Sequence, residues 1–261
     1  MLTVEQLTVR RGTRTLVDAV SFGVPVGSFT VVLGPNGAGK STLFRALAGE
    51  FAPEGGQISI HGRALPAWKR EELAQFRAVL PQESTLQFPF TVEEVVLLGR
   101  TPFSDGSTSA KDMTLAHAAL AQMEMSAFAN RLYPTLSGGE KQRVQLARVL
   151  AQIATPPAEY APILLLDEPV ASLDPAHRFA ALEAAKAVST AGGIVLCIVH
   201  DLNLALRYAD HLLALRDGKL LASGKVSDTL TPALVEALFD VQACAIPASK
   251  DFPGHLVLAP K

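Results

Sequence analysis

The chain has 261 residues, enough to bury a full hydrophobic core, and 49% of them are hydrophobic. Its 23 basic and 25 acidic residues nearly balance, which argues against broad attraction to nucleic acid or to an anionic membrane. No apolar stretch reaches the roughly 18–20 residues that span a bilayer, and the N-terminus shows no signal-peptide pattern. Cys197 and Cys244 lie far apart without metal-ligand spacing, so we expect a reduced, cytoplasmic α/β protein in which Cys197 is a buried core residue.

The chain begins with two extended patterns and a glycine-rich segment. Residues 2–10 and 15–24 predict an antiparallel β layer, and residues 29–33 predict the strand that follows it. The next segment has the spacing G-x-x-x-x-G-K-[ST], and its members are Gly34, Pro35, Asn36, Gly37, Ala38, Gly39, Lys40, Ser41 and Thr42. Its glycines let the backbone wrap closely, so that N–H groups and the N-terminus of the following helix point at phosphate oxygens.

These residue types predict a site for a nucleoside triphosphate. We expect Lys40 to reach the β- and γ-phosphates, Ser41 to ligate Mg²⁺ and Thr42 to contact the α/β-phosphates. A base must stack nearby, but residues 9–12 contain no aromatic ring. An arginine guanidinium there can stack on adenine instead, and a solvated strand end is an equally good interpretation.

The next predicted elements are a strand over 57–62 and a helix over 65–76. The segment 78–83 then begins as an apolar strand that Pro81 stops, and Gln82 lies just past the end of this strand. A neutral amide at that position can coordinate Mg²⁺ or orient an attacking water. A glutamine in a loop is, taken alone, more often only solvated.

Two capping boxes lie in the middle of the chain. Thr91 and Glu94 predict the start of an apolar helix that Gly99 closes, preceded by Phe88 and Phe90, which either pack inward or form an apolar docking platform. A loop over 101–112 and a helix over 114–125 follow. The second box belongs to the motif Leu136-Ser137-Gly138-Gly139-Glu140, which starts a long helix whose N–H groups and serine hydroxyl form an anion site.

Carboxylates and a histidine end the remaining buried strands. Residues 163–167 predict a parallel strand ending at Asp167, suited to hold Mg²⁺, with Glu168 next in line to polarise the attacking water. Asp174 predicts a helix N-cap. His200 follows a strand over 193–199, where it can contact the γ-phosphate, although a lone histidine is more often structural.

The order of these motifs resembles the ATP-binding cassette family of ABC transporters over residues 2–239. The motifs that carry the resemblance are the phosphate loop, Gln82, the Ser137–Glu140 motif, residues 163–168, residues 171–174 and His200. The resemblance implies ATP and Mg²⁺ as ligands and the ABC ATPase fold, a RecA-like core with an antiparallel β subdomain and a helical subdomain. We expect the cassette over 1–240, its helical subdomain over about 88–150, and a short C-terminal appendix over 241–261.

The resemblance also implies residue roles. Glu168 would be the catalytic base, helped by Gln82 and His200, while Ser41, Gln82 and Asp167 would hold the metal. In a head-to-tail homodimer, ATP would lie between the phosphate loop of one copy and the signature motif of the other, Ser137, Gly138, Gly139 and Glu140. Two positions depart from the family pattern: the usual adenine-stacking aromatic is absent near Arg11, and Val170 stands where the family often has a hydroxyl residue.

Residues 79–83, 88–100 and 142–153 are most similar to ATPase subunits of heme (hemin) importers, within the group that also imports vitamin B12 and ferric siderophores. This implies a peripheral subunit at the cytoplasmic face of the bacterial inner membrane, with a transmembrane permease homodimer and, indirectly, a periplasmic heme-binding protein. The alternatives are the ATPase of a vitamin B12 or siderophore importer and a soluble ABC ATPase without a permease. A non-hydrolysing nucleotide sensor is disfavoured by the intact acids and His200.

Overall fold

The computed structural model describes residues 1–82, 86, 88–104, 106–247 and 254–261. Some predicted features extend outside the described residues: Glu83 at the end of the segment 78–83, Asp105 in the predicted loop 101–112, and residues 248–253 of the predicted appendix. Within the described ranges, no helix combines the length and apolar character needed to cross a membrane.

The chain contains both strands and helices throughout, as the predicted α/β class requires. The strands of the described ranges are β1 (Leu2–Arg11), β2 (Arg14–Val24), β3 (Ser28–Leu33), β4 (Gly55–Ile60), β5 (Arg63–Ala64), β6 (Arg77–Leu80), β7 (Ile163–Asp167), β8 (Ile194–Ile198), β9 (His211–Arg216), β10 (Lys219–Lys225), β11 (Gln242–Ile246) and β12 (His255–Ala259). Their α-helices are α1 (Lys40–Leu47), α2 (Arg70–Ala74), α3 (Val92–Leu97), α4 (Ala110–Gln122), α5 (Gly138–Gln152), α6 (Pro175–Thr190), α7 (Leu202–Tyr208), α8 (Val226–Thr229) and α9 (Pro232–Phe239).

The chain divides into two compact units, one of residues 1–67 with 196–261 and one of residues 68–195. The first unit contains the predicted antiparallel layer, with strand order β2-β1-β4-β5. Along β1, burial alternates through Leu2 and Val4 and then shifts by one position to Leu7 and Val9. Gln6, at φ 47°, lies at the register shift and absorbs the extra residue as a β-bulge does.

A second sheet of the first unit carries the phosphate loop. β3 is buried along its whole length, pairs in parallel with β9 and has β8 on its other side, with β10 beyond β9. Complete burial is typical of a strand covered on both faces. The predicted hairpin turn between β9 and β10 is confirmed, with Asp217 and Gly218 at φ 51° and 77°.

In the second unit, the fully buried β7 pairs in parallel with β6, and α5 packs against α3, α4 and β6. The predicted helix over 65–76 is wrong in extent, because only a 3-10 turn (Leu65–Ala67) and α2 form there. The predicted closure at Gly99 is also wrong, because the chain continues as a 3-10 helix over Leu98–Phe103. Gly99 allows close packing instead, since a Cβ there would lie 2.3 Å from the carbonyl oxygen of Arg148.

The end of the chain folds back within the first unit as the hairpin β11–β12. Asp240, in the left-handed conformation at φ 57°, ends α9 and turns the chain into β11. The extents of the helical subdomain and of the appendix remain predictions.

Candidate functional site

The phosphate loop, residues 34–39, connects β3 to the first turn of α1, which carries Lys40, Ser41 and Thr42, and lies against backbone of its own unit. A Cβ on Gly34 (φ 156°) would lie 2.1 Å from the carbonyl oxygen of Leu215, and one on Gly39 (φ 97°) would lie 2.4 Å from that of Leu16. A Cβ on Gly37 (φ 79°) would meet no atom within 4 Å. The loop therefore needs glycine at both ends for close packing, while its middle stays open, as a phosphate cradle requires.

Lys40 is held over this loop. It is 6% exposed, and its Nζ donates hydrogen bonds to the carbonyl oxygens of Gly34 (2.8 Å) and Pro35 (2.9 Å). Over its described length, α1 has no side-chain N-cap and no acid in its first turn, so the positive end of its dipole favours an anion there. Ser41 and Thr42 lie half-buried in that turn. These groups fit a triphosphate and, through the Ser41 hydroxyl, a divalent cation.

The other loop residues and the predicted base contact also belong to the first unit. Ala38 is buried, and its carbonyl oxygen accepts a hydrogen bond from the N–H of Gly218 (3.2 Å), whereas Asn36 is exposed. Arg11 lies at the exposed end of the β1–β2 hairpin, opposite Arg14 in the register. Further along β2, the carbonyl oxygen of Leu16 lies against the phosphate loop at Gly39.

Three of the predicted metal and catalytic residues lie at the carboxyl ends of β6 and β7, the neighbouring strands of the second unit. Leu80 of β6 pairs with Leu166 of β7 in parallel register. Gln82 lies two residues beyond Leu80 and Glu168 two residues beyond Leu166, so both follow the same ends of neighbouring strands. Asp167, the last residue of β7, is 5% exposed. Gln82 is exposed and Glu168 half-buried.

Glu168 has a strained backbone. Its φ is 53°, in the left-handed region, where a residue with a Cβ costs roughly 1–2 kcal/mol relative to the right-handed conformation. Such strain clusters at functional sites because the surrounding structure holds a side chain where the reaction needs it.

The signature motif begins α5 with the predicted capping box. The N–H of Ser137 donates to Oε2 of Glu140 (2.7 Å), and the N–H of Glu140 donates to Oγ of Ser137 (3.4 Å). The Ser137 N–H, followed by its hydroxyl, lowers the pKa of Glu140 and keeps that carboxylate ionised at the helix N-terminus. A Cβ on Gly138 would meet nothing within 4 Å, whereas one on Gly139 would lie 3.1 Å from the carbonyl oxygen of Ser172.

The two signature glycines therefore face different surroundings. Gly138 is open on its exposed side, as an approaching ligand would need, but Gly139 packs against the loop that follows Glu168. Nε2 of Gln142 donates to the carbonyl oxygen of Pro169 (3.1 Å) in the same loop. The start of α5 and the loop after Glu168 are thus packed together within one chain.

That loop ends at Asp174, the predicted N-cap of α6. Its Oδ1 accepts the N–H of His177 (3.0 Å), and its Oδ2 lies 2.7 Å from Nδ1 of His177. These hydrogen bonds, first from the His177 N–H and then from its ring, lower the pKa of Asp174. Nε2 of His177 also lies 3.7 Å from a carboxylate oxygen of Glu124. His177 was not among the predicted site residues. Its position three residues after the N-cap Asp174 is the local pattern that would have indicated this contact.

His200 lies in the first unit, exposed, two residues beyond the end of β8. β8 neighbours β3, the strand that leads into the phosphate loop. Asp201 follows and caps α7, because its Oδ1 accepts the N–H groups of Asn203 (2.8 Å) and Leu204 (3.2 Å).

Comparison with known proteins gives the family. The sequence matches the ABC transporter family over residues 17–171. The chain belongs to the ABC transporter family. A curated relative from Gloeobacter violaceus, named hemin import ATP-binding protein HmuV, is 50% identical over 242 residues, covering 93% of this chain and 88% of the relative. The protein of the same name from Pseudomonas entomophila is 46% identical over 247 residues, covering 95% of each chain.

Solved structures of ABC proteins share the fold. The ATP-binding subunit of an ABC transporter superposes with a TM-score of 0.77 at 27% identity, covering 96% of each chain. A bacterial ABC transporter cassette solved as a dimer gives a TM-score of 0.76 at 26% identity, covering 87% of this chain and 99% of the other. The predicted fold class is confirmed.

As an ABC ATPase, this chain binds nucleotide, and cassettes of this family act as dimers with a separate permease.

The two departures from the family pattern, near Arg11 and at Val170, have different consequences in the structure. Val170 is 7% exposed, so its apolar side chain suits its buried position. Arg11 is exposed at the hairpin end, and its contact with the base remains a prediction.

Proposed function

We propose that this chain is the ATP-hydrolysing subunit of a hemin importer. The observation that carries the proposal is that the curated relatives named hemin import ATP-binding protein HmuV reach 50% identity over 93% of the chain. The subunit would lie at the cytoplasmic face of a bacterial inner membrane, bound to a permease homodimer that receives hemin from a periplasmic binding protein.

The phosphate loop supplies the electrostatic part of catalysis in this proposal. The first N–H groups of α1 bind the β- and γ-phosphates as donors that the backbone already fixes in place, and the Lys40 ammonium, which lies over the loop, adds its positive charge. Ser41, Gln82 and Asp167 would hold Mg²⁺, which neutralises charge on the β- and γ-oxygens when bound. Thr42 contacts the α/β-phosphates.

Glu168 performs the proton chemistry. Its carboxylate accepts a proton from the water that attacks the γ-phosphorus, and its strained backbone fixes where that carboxylate lies. Gln82 orients the water, and His200 contacts the γ-phosphate and responds to its loss. Both belong to loops or strand ends that can move with the nucleotide.

A head-to-tail homodimer completes each site. Gly138 of one copy would approach the γ-phosphate bound by the other, and its open surroundings support such an approach. Closure with ATP and opening after phosphate release then follow from the different affinity of the nucleotide for the two states. The permease changes access with the same cycle.

The permease would dock at Phe88 and Phe90 and the α3 surface behind them. Phe88 is 69% exposed, and its ring centroid lies 6.1 Å from that of Phe90. Phe90 also lines a cavity of about 290 Å³ with mixed walls, in which Leu97 and Leu98 lie beside the charged side chains of Glu94, Arg100 and Asp112. A large exposed aromatic side chain such as Phe88 is typical of a protein interface.

Uptake by cells that lack the gene tests the proposed cargo. We expect the loss of hemin uptake with normal uptake of vitamin B12 and ferric siderophores, and restoration by the wild-type chain but not by Lys40→Ala. If vitamin B12 or siderophore uptake were lost instead, that compound and not hemin would be the cargo. If no uptake changed and the chain purified without an integral membrane protein, the soluble ATPase class would be correct.

A further inference from the structure

The C-terminal hairpin is hydrogen-bonded to the helix that follows His200. Oδ1 of Asn203, in α7, accepts the N–H of Leu256 in β12 (2.8 Å), and Nδ2 of Asn203 donates to the carbonyl oxygen of Leu256 (3.4 Å). One amide side chain thus pairs with both backbone polar groups of one residue, as an adjacent strand would. Leu256 is 6% exposed, so these groups depend on a protein partner. We call this pair of hydrogen bonds the Asn203 clamp.

The clamp lies within three residues of His200. Asp201 caps α7, and the buried side chains of Leu202 and Leu204 (6% and 8% exposed) fix the same turn. α7 has only seven residues, which is far below the length at which a helix is stable alone. Its position therefore depends on tertiary contacts, and the clamp is a polar contact between α7 and β12.

The hairpin is itself fixed on its other side. The N–H of Ala243 in β11 donates to Oε1 of Glu236 in α9 (3.0 Å), and Lys261 pairs with Asp240 at the end of α9. The Lys261 ammonium lowers the pKa of Asp240 and keeps that pair ionised. β11 and β12 thus connect α9 to α7.

We propose that Asn203 is a positioning residue for ATP hydrolysis, through which the C-terminal hairpin fixes His200. This inference rests on the proposed function, because it takes His200 as the γ-phosphate contact. Without the clamp, the first turn of α7 has more freedom, and the imidazole spends less time in the productive position. Small misplacements of a catalytic group lower the rate more than they lower substrate affinity.

Steady-state ATP hydrolysis by the full-length protein tests the clamp. We expect Asn203→Ala to lower kcat about tenfold while the KM for ATP stays within about twofold, because the phosphate loop is untouched. Gln242→Ala is the matched control, since it removes an exposed amide from the same hairpin and should leave both constants unchanged. Equal effects of the two variants, or an unchanged kcat in Asn203→Ala, would overturn the proposal.

Asn203→Asp separates the clamp from the stability of α7 itself. Aspartate keeps the acceptor for the N–H of Leu256 but opposes its carbonyl oxygen with a second acceptor, while a carboxylate in the first turn favours the helix. A lower kcat in Asn203→Asp supports the clamp. A kcat equal to or above that of the wild type would show that only helix stability matters, and would overturn it.

A double-mutant cycle with His200→Ala shows which proposal fails, the Asn203 clamp or the role of His200 as γ-phosphate contact. If the clamp acts through His200, Asn203→Ala lowers kcat in the wild-type background but has no further effect in His200→Ala. Additive losses would overturn the clamp while leaving His200 in its role. An unchanged kcat in His200→Ala alone would instead overturn the proposed role of His200, and the inference with it.

Discussion

At the level of single residues, Glu168 combines a strained backbone with the chemistry that hydrolysis needs. We expect Glu168→Gln to lower ATP turnover by about 10²–10⁴-fold, because the amide keeps the shape of the side chain but cannot accept a proton. ATP affinity should stay within about twofold, since phosphate-loop contacts remain. Phosphate release and equilibrium nucleotide binding measure the two quantities.

The matched control is Glu71→Gln, which neutralises an exposed carboxylate of α2 and should hydrolyse ATP at the wild-type rate. We also expect Glu168→Gln to accumulate as a dimer with ATP in size-exclusion chromatography, because a closed state that cannot hydrolyse does not reopen. Wild-type turnover in Glu168→Gln would refute the assignment of the catalytic base.

At the level of elements, a buried ion pair joins the 3-10 helix Leu98–Phe103 to α4 and α5. Arg100 is 3% exposed, and its Nε donates to Oδ1 of Asp112 (2.9 Å) while its Nη1 donates to the carbonyl oxygen of Ala151 (2.8 Å). Its guanidinium also lies 3.9 Å from the ring centroid of Phe103. We expect Arg100→Met to lower the free energy of unfolding by about 3–5 kcal/mol, because it leaves a buried carboxylate without its cation.

Urea unfolding at neutral pH measures this loss, with Arg70→Met at the exposed start of α2 as the control.

The ion pair between Arg100 and Asp112 also predicts that stability depends on pH. The Ser109 hydroxyl, followed by Arg100, lowers the pKa of Asp112, so its stabilisation is present above the unfolded-state value of about 3.9 and is lost as pH falls through the folded value. The stability difference between wild type and Asp112→Asn should therefore shrink below pH of about 4. A difference that stayed constant to pH 3 would contradict this account.

The aromatic platform before α3, Phe88 and Phe90, predicts a defect in permease assembly that leaves ATP binding intact. Phe88→Ser with Phe90→Ser should abolish co-purification with the permease and hemin uptake, because exposed aromatic side chains supply much of the binding energy at interfaces. ATP binding by the isolated chain should be unchanged. Leu221→Ser, at another exposed apolar position, is the control and should keep both properties. Intact assembly and uptake in the double variant would show that the permease docks elsewhere.

Elements whose signals are local were predictable from the sequence. The capping boxes at Thr91 and Ser137 each need only a residue three positions away, and both form with their reciprocal hydrogen bonds. The clamp between Asn203 and Leu256 spans 53 residues, so no local pattern reports it. Gly99 illustrates the same limit, because its partner Arg148 occupies the space where a side chain would lie.

At the level of the whole molecule, the proposed cycle requires two copies. Each chain has one phosphate loop and one signature motif, and the Ser137 end of α5 is exposed. A dimer with two-fold symmetry uses the same pair of surfaces twice, so two chains would build two equivalent sites. This arrangement makes hydrolysis depend on protein concentration, since a single copy holds only half of each site.

Mixing two inactive variants distinguishes a shared site from one contained in a single chain. We expect neither Lys40→Ala nor Ser137→Arg to hydrolyse ATP alone, because one lacks the phosphate contact and the other blocks the signature surface. In the mixed dimer, the phosphate loop of the Ser137→Arg chain would meet the intact signature motif of the Lys40→Ala chain. Random pairing of equal amounts should then restore about a quarter of the wild-type rate, from one intact site in half of the dimers. If each chain held a complete site, the mixture would stay inactive, because every copy carries a defect.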